Sequence, residues 1–217
     1  MGRIHVVVSN AGYGLFGAAE ELSDAQVDRV IATNLTGSNQ LIRSALPHLR
    51  AQGDGRIVQI SSYGGQVAIA GNSMYHATTW GIEGFVESVA QEVAPFGIGM
   101  TIVEPGGART EFRYGSAQVA QLSPVYDGNP AHAFLAMLDP ANGVAPGDPA
   151  GMASRIIESV DVTQPVWASS RLARCVRCAA TPAVRPLACP SALCGHARRG
   201  PCHPRGRARP QRRSLPS

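Results

Sequence analysis

Ser62 and Tyr75 are the two side chains whose types and spacing best suit chemistry. Ser62 follows an apolar run, Ile57 to Ile60, and so stands at a strand end. Tyr75 comes thirteen residues later and opens a segment with apolar residues at Trp80, Ile82, Phe85, Val86, Val89, Ala90 and Val93. That spacing is helical and assigns Glu83, Glu87, Gln91 and Glu92 to the opposite face. Two hydroxyls so placed are expected to converge on one substrate oxygen. A phenol donates or accepts a proton as a carbonyl and an alcohol interconvert, provided its high pKa is lowered. A cation at i+4 on the same helix face would lower it. That position holds Thr79, which has no charge.

The elements around the pair follow from apolar patterning. A second apolar run, Met100 to Val103, ends in Glu104-Pro105-Gly106, so strand, loop, helix and strand form a parallel crossover. Upstream, Ile4 to Val8 reads as a buried strand that ends in a turn at Gly12 and Gly14, with His5 partly buried or at an edge. Ser23-Asp24-Ala25-Gln26 has the form of a capping box, and apolar positions from Val27 to Leu49 extend that helix to about Arg50. Asn34 and Gly37 are poor helix formers within it, marking either a mild kink or a polar group held towards a site. The next strand is expected over Arg56 to Ser61, the next helix over about Met74 to Phe96, and the third strand over Gly99 to Glu104. Residues 111–146 lack periodicity and form either a substrate-covering segment or an irregular connection. Asp148 and Pro149 open a short helix with Met152, Ile156, Ile157 and Val160 on its apolar face.

In order and spacing these motifs resemble the short-chain dehydrogenase/reductase family. The family pattern is a serine, then Tyr-x-x-x-Lys thirteen residues on, then a Pro-Gly turn after the following strand. Ser62, Tyr75, Pro105, Gly106 and Thr110 match it, and Thr79 stands at the lysine position. Ser9-Asn10-Ala11-Gly12 is similar to the family's Asn-Asn-Ala-Gly turn, and Asn34 matches its asparagine. The resemblance covers Arg3 to about Val162. It implies an α/β fold, part of a Rossmann-like doubly wound parallel sheet, and hydride transfer between NAD or NADP and a carbonyl or alcohol. Tyr75 would be the general acid/base, Ser62 would hold the substrate oxygen, and Asn34 would sustain a proton-relay water. Thr79 would occupy the fourth catalytic place. Asn10, Ala11, Gly12, Tyr75, Pro105, Gly106, Gly107 and Thr110 would line the cofactor. The glycine-rich G-x-G-x-x-G turn that holds a dinucleotide pyrophosphate is not in the sequence. The family places it upstream of Arg3, so the first βαβ units are expected to be missing and a sheet edge exposed. Impaired activity follows from both departures. The competing expectation is an inactive remnant, or a module that pairs through helices 24–50 and 74–96, the contact by which family members form homo-oligomers.

Composition divides the chain. Residues 1–170 carry eight arginines against fifteen acids, a net of −7, while 171–217 carry eleven arginines and no acid. The overall +4 therefore joins unlike pieces. Residues 1–163 are expected to form the folded domain, and 164–217 a basic Arg/Pro/Cys-rich tail without enough apolar residues to order itself. All five cysteines lie in that tail, so the body suits a reducing cytoplasm. Cys175-x-x-Cys178 with Cys189, Cys194, His196, Cys202 and His203 offers metal-ligand residue types, but the spacings fit no finger pattern and no metal is expected. The arginines imply weak, salt-sensitive attraction to nucleic acid and no specific recognition, since no stacking aromatics accompany them. Neither a secretory signal nor an apolar run of membrane-spanning length stands out.

Overall fold

A computed structural model describes residues 2–161 and the backbone of two later strands within 168–179. In chain order the elements are β1 (Val6–Ser9), β2 (Leu15–Phe16), α1 (Asp24–Ile31), α2 (Ser38–Gln52), β3 (Gly55–Ile60), α3 (Ser73–Val93), β4 (Ile98–Val103), α4 (Glu111–Tyr114), β5 (Gln118–Val119), α5 (Pro130–Ala133), α6 (Pro149–Asp161), β6 (Ala168–Ser170) and β7 (Ala173–Ala179). The main sheet has the order β1-β3-β4-β7-β6. Strands β1, β3 and β4 are parallel, with Val8 beside Val58 and Ile57 beside Met100. This is the expected crossover arrangement, with α1–α2 joining β1 to β3 and α3 joining β3 to β4.

The helices begin and end for local reasons. Ser23 caps α1: its hydroxyl accepts from Gln26 N at 3.4 Å, and Gln26 Oε1 accepts from Ser23 N at 3.0 Å, the reciprocal bonds of a capping box. Between α1 and α2 the chain makes a π-helical turn, Ala32–Gly37, which contains Asn34 and Gly37. Such wide turns locally re-aim side chains and recur at functional sites. Gly53 ends α2 in the left-handed conformation, φ 72°, with its N–H bonded back to Leu49 and Arg50 carbonyls. Asp148 Oδ2 accepts from Gly151 N at 2.8 Å and so caps α6. The core lies between the sheet and α2–α3: Ile42, Leu49, Ile57, Val86 and Ile102 are fully buried in one cluster.

Several expectations change. The Ile4–Val8 run is not a buried strand. β1 is the sheet's edge, and Val8 is 50% exposed, because no further strand flanks it among the described residues. Trp80 is half exposed, its ring drawn out of the core by a bond to a loop carbonyl. Glu83 is buried, not solvated, because Ser61 and Gln66 satisfy its carboxylate from the neighbouring loop. Ile157, placed on the apolar face of α6, is exposed; Met152 and Ile156 carry that face. β7 pairs antiparallel with β4, Ile102 beside Arg177, and β6 with β7, so two strands fall inside the segment expected to be tail. The zinc-type candidates at 189, 194, 196, 202 and 203 lie outside the described residues. No helix among the described residues is long and apolar enough to cross a membrane.

The core placement predicts a contrast between two leucines on α2. Leu49→Ala removes a side chain with no exposure and is expected to cost ~2–5 kcal/mol. Leu41→Ala, at a position 43% exposed, is expected to cost about 0.5 kcal/mol or less. Urea unfolding midpoints measure both; equal losses would contradict the packing described.

Candidate active site

Parallel strands place all their carboxyl ends on one edge. Ligands of open α/β sheets bind beside that edge. Here it gathers three loops: Asn10-Ala11-Gly12 after β1, Ser61-Ser62 after β3, and Pro105-Gly106-Gly107 after β4. The β3 and β4 ladder continues into the loops, with Ser61 N donating to Val103 O at 2.7 Å and Tyr63 N to Pro105 O at 3.0 Å. These loops and one face of α3 line a cleft of ≈ 360 Å³. All the expected site residues line it: Asn34, Ser62, Tyr75, Thr79, Asn10, Ala11, Gly12, Pro105, Gly106, Gly107 and Thr110.

Ser62 and Tyr75 meet in this cleft, the serine hydroxyl close enough to influence the phenol. Burial pushes the Tyr75 phenol above its ordinary 10.0; the Ser62 hydroxyl works against that, and the neighbouring Tyr63 adds to it. The net direction is upward, opposite to what acid/base work at neutral pH needs. Thr79 explains why. It is buried, and its hydroxyl donates to the Tyr75 and His76 carbonyls at 3.2 and 3.1 Å. It therefore serves its own helix and supplies no charge to the phenol. Arg109 offers no substitute, since its guanidinium reaches Pro146 O at 2.8 Å and Asp148 at 3.7 Å, outside the cleft.

Asn34 does more than face the site. Its Nδ2 donates to Tyr13 O at 2.9 Å, and its Oδ1 accepts from Tyr13 N at 3.1 Å. One buried amide thus fastens the loop after β1 to the π turn. Nδ2 also lies 3.4 Å from Thr78 Oγ1 on α3.

Sequence reasoning missed the brace that holds Ser62 in place. His76 Nδ1 donates to Gly64 O at 2.8 Å, and Trp80 Nε1 donates to the same oxygen at 2.9 Å. On the other side of the ring, Ile69 N donates to His76 Nε2 at 3.1 Å. A carbonyl at one nitrogen and an N–H at the other define the neutral Nδ1-protonated tautomer. Gly64 must be glycine, because a Cβ there would sit 2.7 Å from His76 Nδ1. Ser62 Oγ accepts from Gly64 N at 3.1 Å, so the brace reaches the hydroxyl through a single residue, Gly64. The i, i+4 spacing of His76 and Trp80 was the available signal. Glu83 carried a similar one: it is four residues beyond Thr79 and eight beyond Tyr75, on the face that lines the site. Its Oε1 accepts from Ser61 Oγ at 2.6 Å, and Gln66 Nε2 bridges it to buried Glu104 at 2.6 and 3.0 Å.

The segment after β4 covers the cleft. Phe112 lies 5.7 Å from Tyr75, Phe16 lies 6.1 Å from it, and Phe134 lies 5.3 Å from Phe16, centroid to centroid. The cover is tied down by the β2–β5 pair and by Glu21, whose carboxylate accepts from Ala18 N at 2.8 Å, Ser123 N at 2.6 Å and His132 Nε2 at 2.8 Å. Burial alone would raise the Glu21 pKa, but those bonds outweigh it and hold it below the usual value.

With this geometry in view, comparison with known proteins is decisive. A family model described as short chain dehydrogenase matches residues 1–119. The chain belongs to that family. Oxidoreductase BOA17 of Botryotinia fuckeliana is 36% identical over 164 residues, which are 76% of this chain and 60% of that protein. Human retinol dehydrogenase 8 is 37% identical over 65% of this chain and 46% of its own length. A crystal structure of a short-chain dehydrogenase from Streptomyces avermitilis superposes with a TM-score of 0.68 at 37% identity, covering 75% of this chain and 58% of that one. The chain therefore spans only about half to three fifths of the relatives named here.

The brace has a pH signature. Burial lowers the His76 pKa from 6.5, against a smaller raising effect of Gly64 O. In the native state the ring binds a proton less readily than in the unfolded chain, so its stabilising contribution is complete above 6.5. That contribution is lost as pH falls from there through the lowered value. His76→Leu is expected to flatten this part of the stability profile, measured as urea midpoints against pH. An unchanged slope in the variant would show that another group titrates there.

Proposed function

We propose that this chain carries the reaction half of an oxidoreductase that moves hydride between NAD or NADP and a carbonyl or alcohol. The convergence of Ser62 and Tyr75 on one cleft at the carboxyl edge of the sheet supports this reading most directly. Tyr75 is the group that gives the carbonyl oxygen its proton or takes it back. Ser62 holds that oxygen, and Asn34 secures the loop that closes the far wall. The cleft suits the nicotinamide end of such a cofactor: Gly106 leaves open space where a side chain would stand, and two buried polar atoms, Gln59 Oε1 and Tyr13 Oη, have no partner among the described residues. Asn10, Ala11, Gly12, Pro105, Gly106, Gly107 and Thr110 would hold it. When bound, the cofactor supplies or accepts the hydride.

Turnover is expected to be slow. The raised Tyr75 pKa has no cation to bring it down, and each pKa unit is worth about 1.4 kcal/mol. The ring-lined approach formed by Phe16, Phe112 and Phe134 favours an apolar substrate, in keeping with the name of the retinol dehydrogenase relative. The competing reading, a non-catalytic module that pairs through its long helices, draws on exposed Leu41 and Trp80. Cytoplasmic location remains the expectation from cysteine usage.

The test is NADPH consumption by the purified chain with aryl ketones. Tyr75→Phe is expected to abolish whatever rate is present. Thr79→Lys is expected to raise it at least about tenfold, the equivalent of one pKa unit, and to shift the pH–rate profile to lower pH. Micromolar NADPH binding is expected in both variants. A Tyr75→Phe rate equal to the parent's would remove the assignment, and absence of NADPH binding would favour the pairing module.

A further inference from the structure

Among the described residues no Asp or Glu lines the cleft, and His76 is held neutral by its two bonds and by burial. Of those residues, Arg113 brings a formal charge to the wall. Three acids of neighbouring segments have other partners: Glu83 bonds Ser61 and Gln66, Glu104 bonds Gln66, and Asp148 meets Arg109.

Four other arginines of the described residues have partners. Arg3, Arg109 and Arg155 each meet a carboxylate, and Arg50 lies over the Phe96 ring. Arg113 is half-buried yet has no hydrogen bond or ion pair with any described residue. Its guanidinium packs over Gly107, where a Cβ would come within 3.3 Å of Nη2. A larger residue at 107 would displace it from the wall. Burial raises the Tyr63 phenol, and the charge of Arg113 works against that rise. No such influence reaches Tyr75, so Arg113 does not replace the charge absent at Thr79. It faces the space a ligand would fill. A guanidinium offers five N–H donors in a planar fork that matches a carboxylate or phosphate with two parallel bonds. Partly withdrawn from water and unpaired, those donors gain most from an anion.

We propose that Arg113 holds an anionic group of the cleft's ligand, a carboxylate or phosphate attached to an apolar, ring-bearing body. The rings of Phe16, Phe112 and Phe134 take the body, and Arg113 takes the charge. This inference builds on the proposed carbonyl site for the position of the reacting oxygen. The anion comes either from the substrate itself or from the phosphates of the nicotinamide cofactor.

The experiment is calorimetric titration of the full chain with para-acetylbenzoate, acetophenone and ADP-ribose, at low and high salt. The two ketones share a ring and a carbonyl and differ by one carboxylate. Arg113→Met is expected to weaken at least one anionic probe about tenfold or more, with acetophenone unchanged and Arg113→Lys intermediate. In the parent chain, binding of that probe is expected to weaken as salt rises. Loss confined to para-acetylbenzoate assigns the anion to the substrate, and loss confined to ADP-ribose assigns it to the cofactor. The proposal is overturned if Arg113→Met changes neither anionic probe, or weakens acetophenone by the same factor. It is equally overturned, whatever the variant's fold, if the parent binds para-acetylbenzoate no better than acetophenone and binds ADP-ribose without salt dependence. All readouts are of binding. Arg113-dependent binding without NADPH consumption therefore supports the anion site and removes the hydride-transfer reading.

Discussion

Three parallel strands in register are the constraint on which the site depends. Val8 beside Val58, and Ile57 beside Met100, leave the carboxyl ends of β1, β3 and β4 level with one another. A one-residue slip would turn every inward side chain outward and separate the three loops. Because the ladder runs on to Ser61 N and Tyr63 N, Ser62 inherits its position from the sheet itself. Helix α3 then needs only to present Tyr75 one loop later. The buried cluster of Ile42, Leu49, Ile57, Val86 and Ile102 holds α2 and α3 against the strands. Core packing and site geometry are therefore one problem.

Polar groups buried near the site form three separate fastenings. Asn34 ties the first loop to the π turn, His76 and Trp80 tie the second to α3, and Glu21 ties the cover to the body. Each spends a buried polar side chain on backbone groups that would otherwise be left unpaired. None of them touches the reacting atoms as placed. What they do is reduce the freedom of the loops that must. Against this order, Thr79 brings no charge beside the Tyr75 phenol, whose pKa burial raises.

Much of this was legible in the residues. The apolar runs located β3 and β4, Ser23 and Gln26 located the start of α1, and the hydroxyl spacing located the site, because each signal is local. What escaped depends on neighbours distant in sequence. Burial of Ile4 to Val8 turns on whether another strand lies alongside, and periodicity carries no such information. Trp80 fits the apolar stripe of α3, but its N–H finds Gly64 O sixteen residues earlier. Glu83 counts as a solvated acid until Ser61 and Gln66 fold over it. Strand β7 pairs with β4, and β6 with β7, although their own composition is poor in aliphatic residues.

Trp80 also gives the chain a built-in optical probe. Its indole is half exposed while its N–H is bound to Gly64, the residue whose own N–H meets Ser62, so a change in that turn alters both the polarity and the hydrogen bonding the ring experiences. The sequence contains one other tryptophan, Trp167. With phenylalanine at 167, emission from the single remaining indole reports the conformation of the serine turn directly, without label or turnover.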